Sequence, residues 1–370
     1  MPDTVANPKK VLVRGVNWLG DAVMTTPALL RLREFWPQAH ITLLTADKLA
    51  GLWTGHRAID SVMTFSSGES VWQLAARLRA EKFDFALALP NSPRTALELW
   101  LARIPQRVGY ANAGRNWLLT RAVAHRPGVV TMRKRTVGEI QQLIQSGKAT
   151  EAPIPASAHH VHHYLHLVSA LGASAEPLPP RIEVSVEEVA AVRKKFGFEL
   201  AGDRPIFGLN AGAEYGPAKR WPKENFVAAA KAVQRQVDCC WVVFGGKADV
   251  ELAEDITQEI GSPQVLNLAG RTSLRELCAA LKTCRVVLTN DTGPMHLAAA
   301  VGSAVVVPFG STSPEMTGPG MPGDPRHHFL KANVPCTPCF LRECPIDFRC
   351  MKDISVERVV EAMAKGMTNE

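Results

Sequence analysis

Three polar clusters, each directly behind a short apolar run, gather the groups in this chain that can bind and move charge. The first is Arg14-Gly15-Val16-Asn17-Trp18-Leu19-Gly20-Asp21. Its two glycines permit a tight turn and a close approach to a ligand. They stand five residues apart, which is not the spacing of a dinucleotide-binding fingerprint. Asp21 falls where the next helix should begin. A helix N-terminus favours the ionised carboxylate, so Asp21 is a candidate general base; the simpler reading is a helix cap. Pro27, one or two turns on, predicts a late start or a kink in that helix.

The second cluster runs from Asn210 to Pro222 and contains Gly212, Gly216, Lys219 and Arg220. A flexible loop ending in adjacent cations suits a pyrophosphate, with a point charge from Lys219 and a planar fork from Arg220. The alternative is a solvated turn. The third is Thr289-Asn290-Asp291-Thr292-Gly293-Pro294-Met295-His296. It precedes a small-residue helix whose free N–H groups make an anion site. The Thr292 hydroxyl adds a donor, and Asp291 and His296 are placed to meet sugar hydroxyls. A further polar loop, residues 310–314, is expected at the same edge. Asn210, Gly212, Lys219, Arg220, Asp291, Thr292, Gly293 and His296 thus form a candidate donor-binding set. No Asp-x-Asp pair occurs in the sequence. Lys219, Arg220 and the amides near Thr292 are therefore expected to neutralise a leaving group, and no cofactor is expected.

These clusters need rigid elements behind them. β-rich runs at residues 11–13, 41–44 and 85–89 alternate with helical patterns toward residue 35 and at 70–80. The theme returns with strands at 205–209, 241–244, 286–288 and 305–307, and helices at 223–237, 273–281 and 294–301. Such alternation predicts parallel sheets with crossover helices. The Ala, Gly and Pro-rich stretch 172–180 reads as a linker. The expected fold is α/β: two Rossmann-like domains, residues 1–175 and 176–370, with ligands in a cleft beyond the C-terminal strand ends. A last helix near 355–363 is a candidate to cross back to the first domain.

A chain of 370 residues suits two domains. Its net charge of +7 is uneven. Residues 1–175 carry 20 Lys and Arg against 11 Asp and Glu, a net of +9, and the remainder is at −2. A basic half fits an anionic partner such as a phosphorylated lipid or a membrane surface, against the plain alternative of solubility charge. Nucleic acid is not expected, because the basic half lacks interleaved aromatics for base stacking. No apolar run approaches a membrane span, and residues 1–10 lack a signal-peptide core, so a cytoplasmic protein is expected. Cys239, Cys240, Cys278 and Cys284 lie in apolar segments and read as core residues. Cys336, Cys339, Cys344 and Cys350 have spacing that permits a tetrahedral thiolate site, and are candidate metal ligands beside the alternative of free thiols. His159, His162, His163 and His166 fall along one helical face; without accompanying carboxylates they read as an exposed helix before a metal tract.

Together the three clusters resemble the lipopolysaccharide heptosyltransferases, glycosyltransferase family 9, over most of the chain. The run 212–222 is the most specific match and points to the branch that adds the second heptose. The run 290–296 resembles the family's donor motif, and 14–21 its N-terminal motif. The resemblance implies a GT-B fold and inverting transfer of L-glycero-D-manno-heptose from ADP-heptose to the inner-core heptose of Kdo–lipid A. Transfer of the first or third heptose and a GT-B sugar-nucleotide epimerase are the alternatives, with a non-catalytic nucleotide-sugar binder behind them. It implies Asp21 as base, Lys219 as phosphate-binding lysine, and Asp291, Thr292, Gly293 and His296 at the donor. It also implies a peripheral place on the inner face of the inner membrane. Asn17, Trp18 and Asn91, with Arg133-Lys134-Arg135 in a loose, extended stretch at 126–157, are the candidate acceptor contacts.

Overall fold

The computed structural model describes residues 7–147 and 154–368. Residues 1–6 of the N-terminal reading and 148–153 of the extended stretch lie outside the described residues. The chain divides into two compact units, Met1–Val129 with His160–Glu183, and Val130–His159 with Val184–Glu370.

The first unit is built on six parallel strands: β1 Lys10–Arg14, β2 His40–Ala46, β3 Ser61–Phe65, β4 Phe85–Ala88, β5 Gln106–Tyr110 and β6 Arg121–Val123. Their order is β3-β2-β1-β4-β5-β6. Central strands covered on both faces must be apolar throughout, and Val11, Leu12, Val13 and the whole of β4 are buried. The helix Val71–Ala80 is set by a capping box between Ser70 and Gln73. The expected break near Pro27 is real. One helix, Leu19–Met24, ends at Thr25 and another, Thr26–Phe35, starts with Pro27 in its first turn, where a missing N–H costs nothing.

The second unit repeats the plan with β7 Ile206–Asn210, β8 Cys240–Val243, β9 Val265–Asn267, β10 Val286–Thr289, β11 Ala304–Phe309 and β12 His327–Lys331. Their order is β12-β11-β10-β7-β8-β9, again all parallel. Its core gathers Phe207, Trp241, Phe226, Leu288 and Val306.

Two expectations change. The last helix, Val356–Thr368, stays in the second unit, packed on the helix Lys223–Gln236 and on β10, β11 and β12, with Val359 and Met363 fully buried. Its apolar stripe is consumed there. The stretch 126–157 is less loose than expected: it contains the helix Val137–Ser146, opened by a Thr136–Glu139 capping box, whose Ile140 joins the second core. Residues 130–159 accordingly group with the second unit, unlike the single boundary at 175/176.

One buried ion pair braces the first unit. Arg14 Nε lies 2.9 Å from Glu98 Oε2, and both side chains are almost wholly buried. Arg14 also stacks on Phe65, its guanidinium carbon 4.2 Å from the ring centroid. Removing one partner strands a buried charge. Glu98→Ala is expected to lower the urea-unfolding stability of the first unit by about 3–5 kcal/mol, and Arg14→Met in that background to recover most of it. A loss below about 1 kcal/mol for the single variant would show that the pair does not brace the sheet.

Candidate functional site

Both sheets reverse strand order between their first and fourth strands. That switch point opens a crevice at the C-terminal strand ends. In the first unit it is bordered by the loops after β1 and β4, and in the second by those after β7 and β10.

After β1, Gly15 N–H donates to Leu44 O at 2.9 Å. Arg14 Nη1 donates to Gly15 O at 2.6 Å and to Asn17 Oδ1 at 3.3 Å, which fixes the turn from below. Asn17 is exposed, and Trp18 is 47 % exposed with Lys48 Nζ 5.4 Å from its ring centroid. Asp21 sits in the first turn of the helix Leu19–Met24, partly buried. His160 Nδ1 stands 3.6 Å from Asp21 Oδ1. After β4, the side-chain oxygen of Asn91 is buried without a protein partner. Nearby Arg115 is fully buried, donates from Nη1 to Pro90 O at 2.6 Å, and has no protein partner for Nε or Nη2. Burial lowers the pKa of its guanidinium.

The histidine tract is a stack around a tyrosine. His159 precedes the helix Val161–Ser169 and is buried in the second unit, its Nε2–H donating to Gly318 O at 2.8 Å. In the first unit, Tyr110 lies between His125 and His163, with ring centroids 4.9 and 4.1 Å away. Its hydroxyl donates to His163 O at 2.6 Å and lies 2.8 Å from His166 Nδ1. A carbonyl can only accept, so the phenol oxygen accepts from His166 Nδ1–H. Burial holds His163 down to about 3 and pushes the Tyr110 phenol well above its ordinary value.

In the second unit, β7 and β10 are neighbours with Asn210 opposite Thr289. Asn210 Nδ2 donates to Thr289 Oγ1 at 3.1 Å. Asn290, fully buried, joins the two loops: its Oδ1 accepts from Trp221 N–H at 2.9 Å, and its Nδ2 donates to Ala211 O at 2.7 Å. The 3-10 turn Pro217–Lys219 carries Lys219 to Asp291, with Nζ 2.6 Å from Oδ2. Thr312 donates its hydroxyl to the same oxygen at 2.5 Å. Lys219 also faces the Tyr215 ring at 4.8 Å, and the Tyr215 hydroxyl is anchored on Phe340 O at 2.8 Å. Arg220 is exposed, with Nη2 on Ala213 O at 3.2 Å. Gly212 is a close-approach position, because a Cβ there would meet the Asp249 carboxylate at 2.5 Å. Gly216 has φ +150°, and a Cβ would sit 2.5 Å from Arg342 O. Thr292 occupies the N-cap position of the helix Gly293–Val301 without a side-chain capping bond, with Pro294 in the first turn and His296 buried.

The structure thus brings Asn210, Gly212, Lys219, Arg220, Asp291, Thr292, Gly293 and His296 into one region at the second switch point. Asp21, Asn17, Trp18 and Asn91 follow the strands bordering the first. The triplet Arg133-Lys134-Arg135 belongs to the second unit and is split. Arg133 pairs with Glu139 at 2.7 Å, Arg135 is buried with its N–H on Cys339 O at 3.0 Å, and Lys134 is exposed. Residues 311–314 are buried, and Thr312 serves Asp291. Four residues of this environment had no role assigned from the sequence: His160 in the histidine stretch, Asn290 and Thr312 in the polar loops singled out above, and Arg115. Arg115 alone carried no signal in the sequence.

Cys239, Cys240, Cys278 and Cys284 are free, buried thiols, as expected. Cys336, Cys339, Cys344 and Cys350 are free as well and line one cavity with Ile140 and Ile144. Among the described residues no group of three or more His, Cys, Asp or Glu is arranged to hold a metal ion. Burial raises the thiol pKa of Cys336, Cys339 and Cys350, the last to about 12.

Two Rossmann-like units, each a six-stranded parallel sheet with polar loops at its switch point, are the building blocks of the GT-B class of α/β proteins. The chain belongs to glycosyltransferase family 9 (heptosyltransferase), whose model matches residues 136–348. It is a glycosyltransferase. It is 28% identical over 323 residues to lipooligosaccharide heptosyltransferase 2 of Haemophilus ducreyi, covering 84% of this chain and 86% of that one. It is 29% identical to lipopolysaccharide heptosyltransferase 2 of Escherichia coli, covering 84% and 85%. The solved structure of E. coli ADP-heptose LPS heptosyltransferase II matches with TM-score 0.75 and 26% identity, over 97% of this chain and 98% of that one.

Two outcomes follow from this geometry. Asn290→Ala removes both bonds joining the loops and is expected to cost about 2–3 kcal/mol in thermal or urea unfolding, with Asn290→Asp failing to rescue because its carboxylate would face the Ala211 carbonyl. An unchanged midpoint in Asn290→Ala would mean that the loops are held elsewhere. The stack makes the second outcome pH-dependent. His163 binds a proton near pH 6.5 when unfolded and only near 3 when folded, so stability is full above 6.5 and falls as pH drops through that window. His163→Gln should flatten the acid slope by up to about 1.4 kcal/mol per pH unit; identical slopes would remove His163 from the account.

Proposed function

We propose that this glycosyltransferase moves L-glycero-D-manno-heptose from ADP-heptose to the inner-core heptose of Kdo–lipid A, with inversion at the anomeric carbon. The observation that carries this reading is the Lys219–Asp291 pair at the second switch point, 2.6 Å apart beside the start of the helix Gly293–Val301. An ammonium has three donors. One is spent on Asp291, and two remain for a diphosphate. The helix start adds N–H groups and the positive end of its dipole. The relatives named lipooligosaccharide and lipopolysaccharide heptosyltransferase 2 support a heptose donor and a lipopolysaccharide-type acceptor.

As the bond from C1 to the phosphate oxygen lengthens, the ring gains oxocarbenium character and charge builds on ADP. Lys219, Arg220 and the Thr292–Gly293 amides stabilise that charge. The acceptor hydroxyl attacks C1 from the opposite face, and Asp21 takes its proton. Asp291 and His296 hold the donor. Asn17, Trp18, Asn91 and the exposed Lys134 are assigned to the acceptor, whose phosphates suit the basic first half of the chain. The same charge favours a peripheral site on the anionic cytoplasmic face of the inner membrane; no helix among the described residues is long and apolar enough to cross a membrane.

Mass spectrometry of truncated Kdo–lipid A cores incubated with ADP-heptose tests this. A gain of one heptose is expected on the acceptor that already bears one. Lys219→Ala and Asp21→Asn should each lower kcat by about 10²–10⁴-fold. Transfer of another sugar, or full activity in both variants, would overturn the assignment.

A further inference from the structure

His160 sits at the N-cap of the helix Val161–Ser169, without capping that helix through its side chain. The helix packs on Thr26–Phe35, which follows the helix bearing Asp21. That packing, rather than sequence proximity, brings His160 Nδ1 to 3.6 Å from Asp21 Oδ1. The Nδ1 atom is buried and has no hydrogen-bond partner in the protein. A buried ring nitrogen left without a partner is costly, and here it stands at the edge of one. Closing to an ordinary N–H···O distance needs a shift of roughly 0.6 Å.

We propose that His160 is a positioning residue for Asp21: in the reacting enzyme its Nδ1–H donates to the Asp21 carboxylate, holding it ionised and aimed at the acceptor hydroxyl. The inference rests on reading Asp21 as the base. The imidazole itself stays neutral. Burial lowers its pKa, opposed by the charge of Asp21. The acceptor's proton ends on Asp21, and His160 keeps its own. Titratable groups from this helix and from the strand beside it pack around His160. His163 and Tyr164 come from the same helix as His160, with ring centroids both 5.3 Å away. Tyr110 and His125 stack beyond His163, and Arg126 and His166 act on that histidine. Tyr164 is held well above its ordinary pKa by burial and by Asp21, so it is neutral as well. The ring groups beside Asp21 on this helix, His160 and Tyr164, are thus held toward their neutral forms. A donor N–H is what such a setting supplies to keep a partly buried carboxylate charged.

The test is the pH dependence of kcat in the full chain, with ADP-heptose and truncated core as substrates. His160→Ala should lower kcat by about tenfold or more, leave the donor KM within about twofold, and move the acid limb up by about 0.5–1 pH unit. Loss of a bond to the charged form raises the carboxylate's pKa, which sets that sign. His160→Asn places an amide N–H where Nδ1 was and should return the limb toward its parental position. A parental limb and kcat in His160→Ala, with Asp21→Asn inactive, overturns the proposal alone. Equal impairment in both His160 variants with an unmoved limb also overturns it, leaving a packing role. Parental activity in Asp21→Asn overturns the base reading, and this proposal with it.

Discussion

The parallel pairing of β7 with β10 sets Asn210 opposite Thr289, and the chemistry of the second unit depends on that register. Two loops distant in sequence leave the sheet side by side. Asn290 then ties them through both ends of its amide. Only within that frame does Lys219 reach Asp291. The pair is nearly buried, and a charge pair of this kind survives desolvation only when its other valences are met. Thr312 meets one of them, and the face of Tyr215 shields the ammonium. The glycines belong to the same constraint. At 212 and 216 the backbone passes so close to Asp249 and to Arg342 that any Cβ would push it away.

The first unit uses the same strand order for different chemistry. Its brace is the Arg14–Glu98 pair beneath the turn after β1, so the turn is held by a cation that never reaches solvent. The unit also holds a stack of imidazoles about Tyr110, a buried Asn91 oxygen, and the Asp21 carboxylate at a helix start. At the second switch point stand the Lys219 ammonium and the amides at the start of the helix Gly293–Val301, and after β1 stands the Asp21 carboxylate. That division matches what transfer from a diphosphate to a hydroxyl demands, since charge must be absorbed at the leaving group and a proton accepted at the nucleophile.

Legibility in the sequence followed burial. β1, β4, β7, β10 and β11 are covered on both faces and read as continuous apolar runs, so they stood out. β3, β9 and β12 are only partly buried and mix polar residues, and they did not. The helix Val137–Ser146 was legible in principle, because Thr136 and Glu139 form a capping box ahead of Ile140 and Leu143. The polar composition around it hid the signal. The final helix showed its apolar stripe plainly, but a stripe does not say which surface it will cover.

By itself the sequence determined the α/β alternation, the two-sheet plan, and three polar loops able to hold anions and a carboxylate, because local propensity and apolar period act within a few residues. Only the tertiary structure decided that Lys219 pairs with Asp291, that Asn290 joins two loops, that Arg133 and Arg135 are taken up by neighbours, and that His160 stands beside Asp21. Each of those depends on strand register or helix packing between segments far apart in the chain, and pairwise contacts of that range leave no periodic mark on either segment.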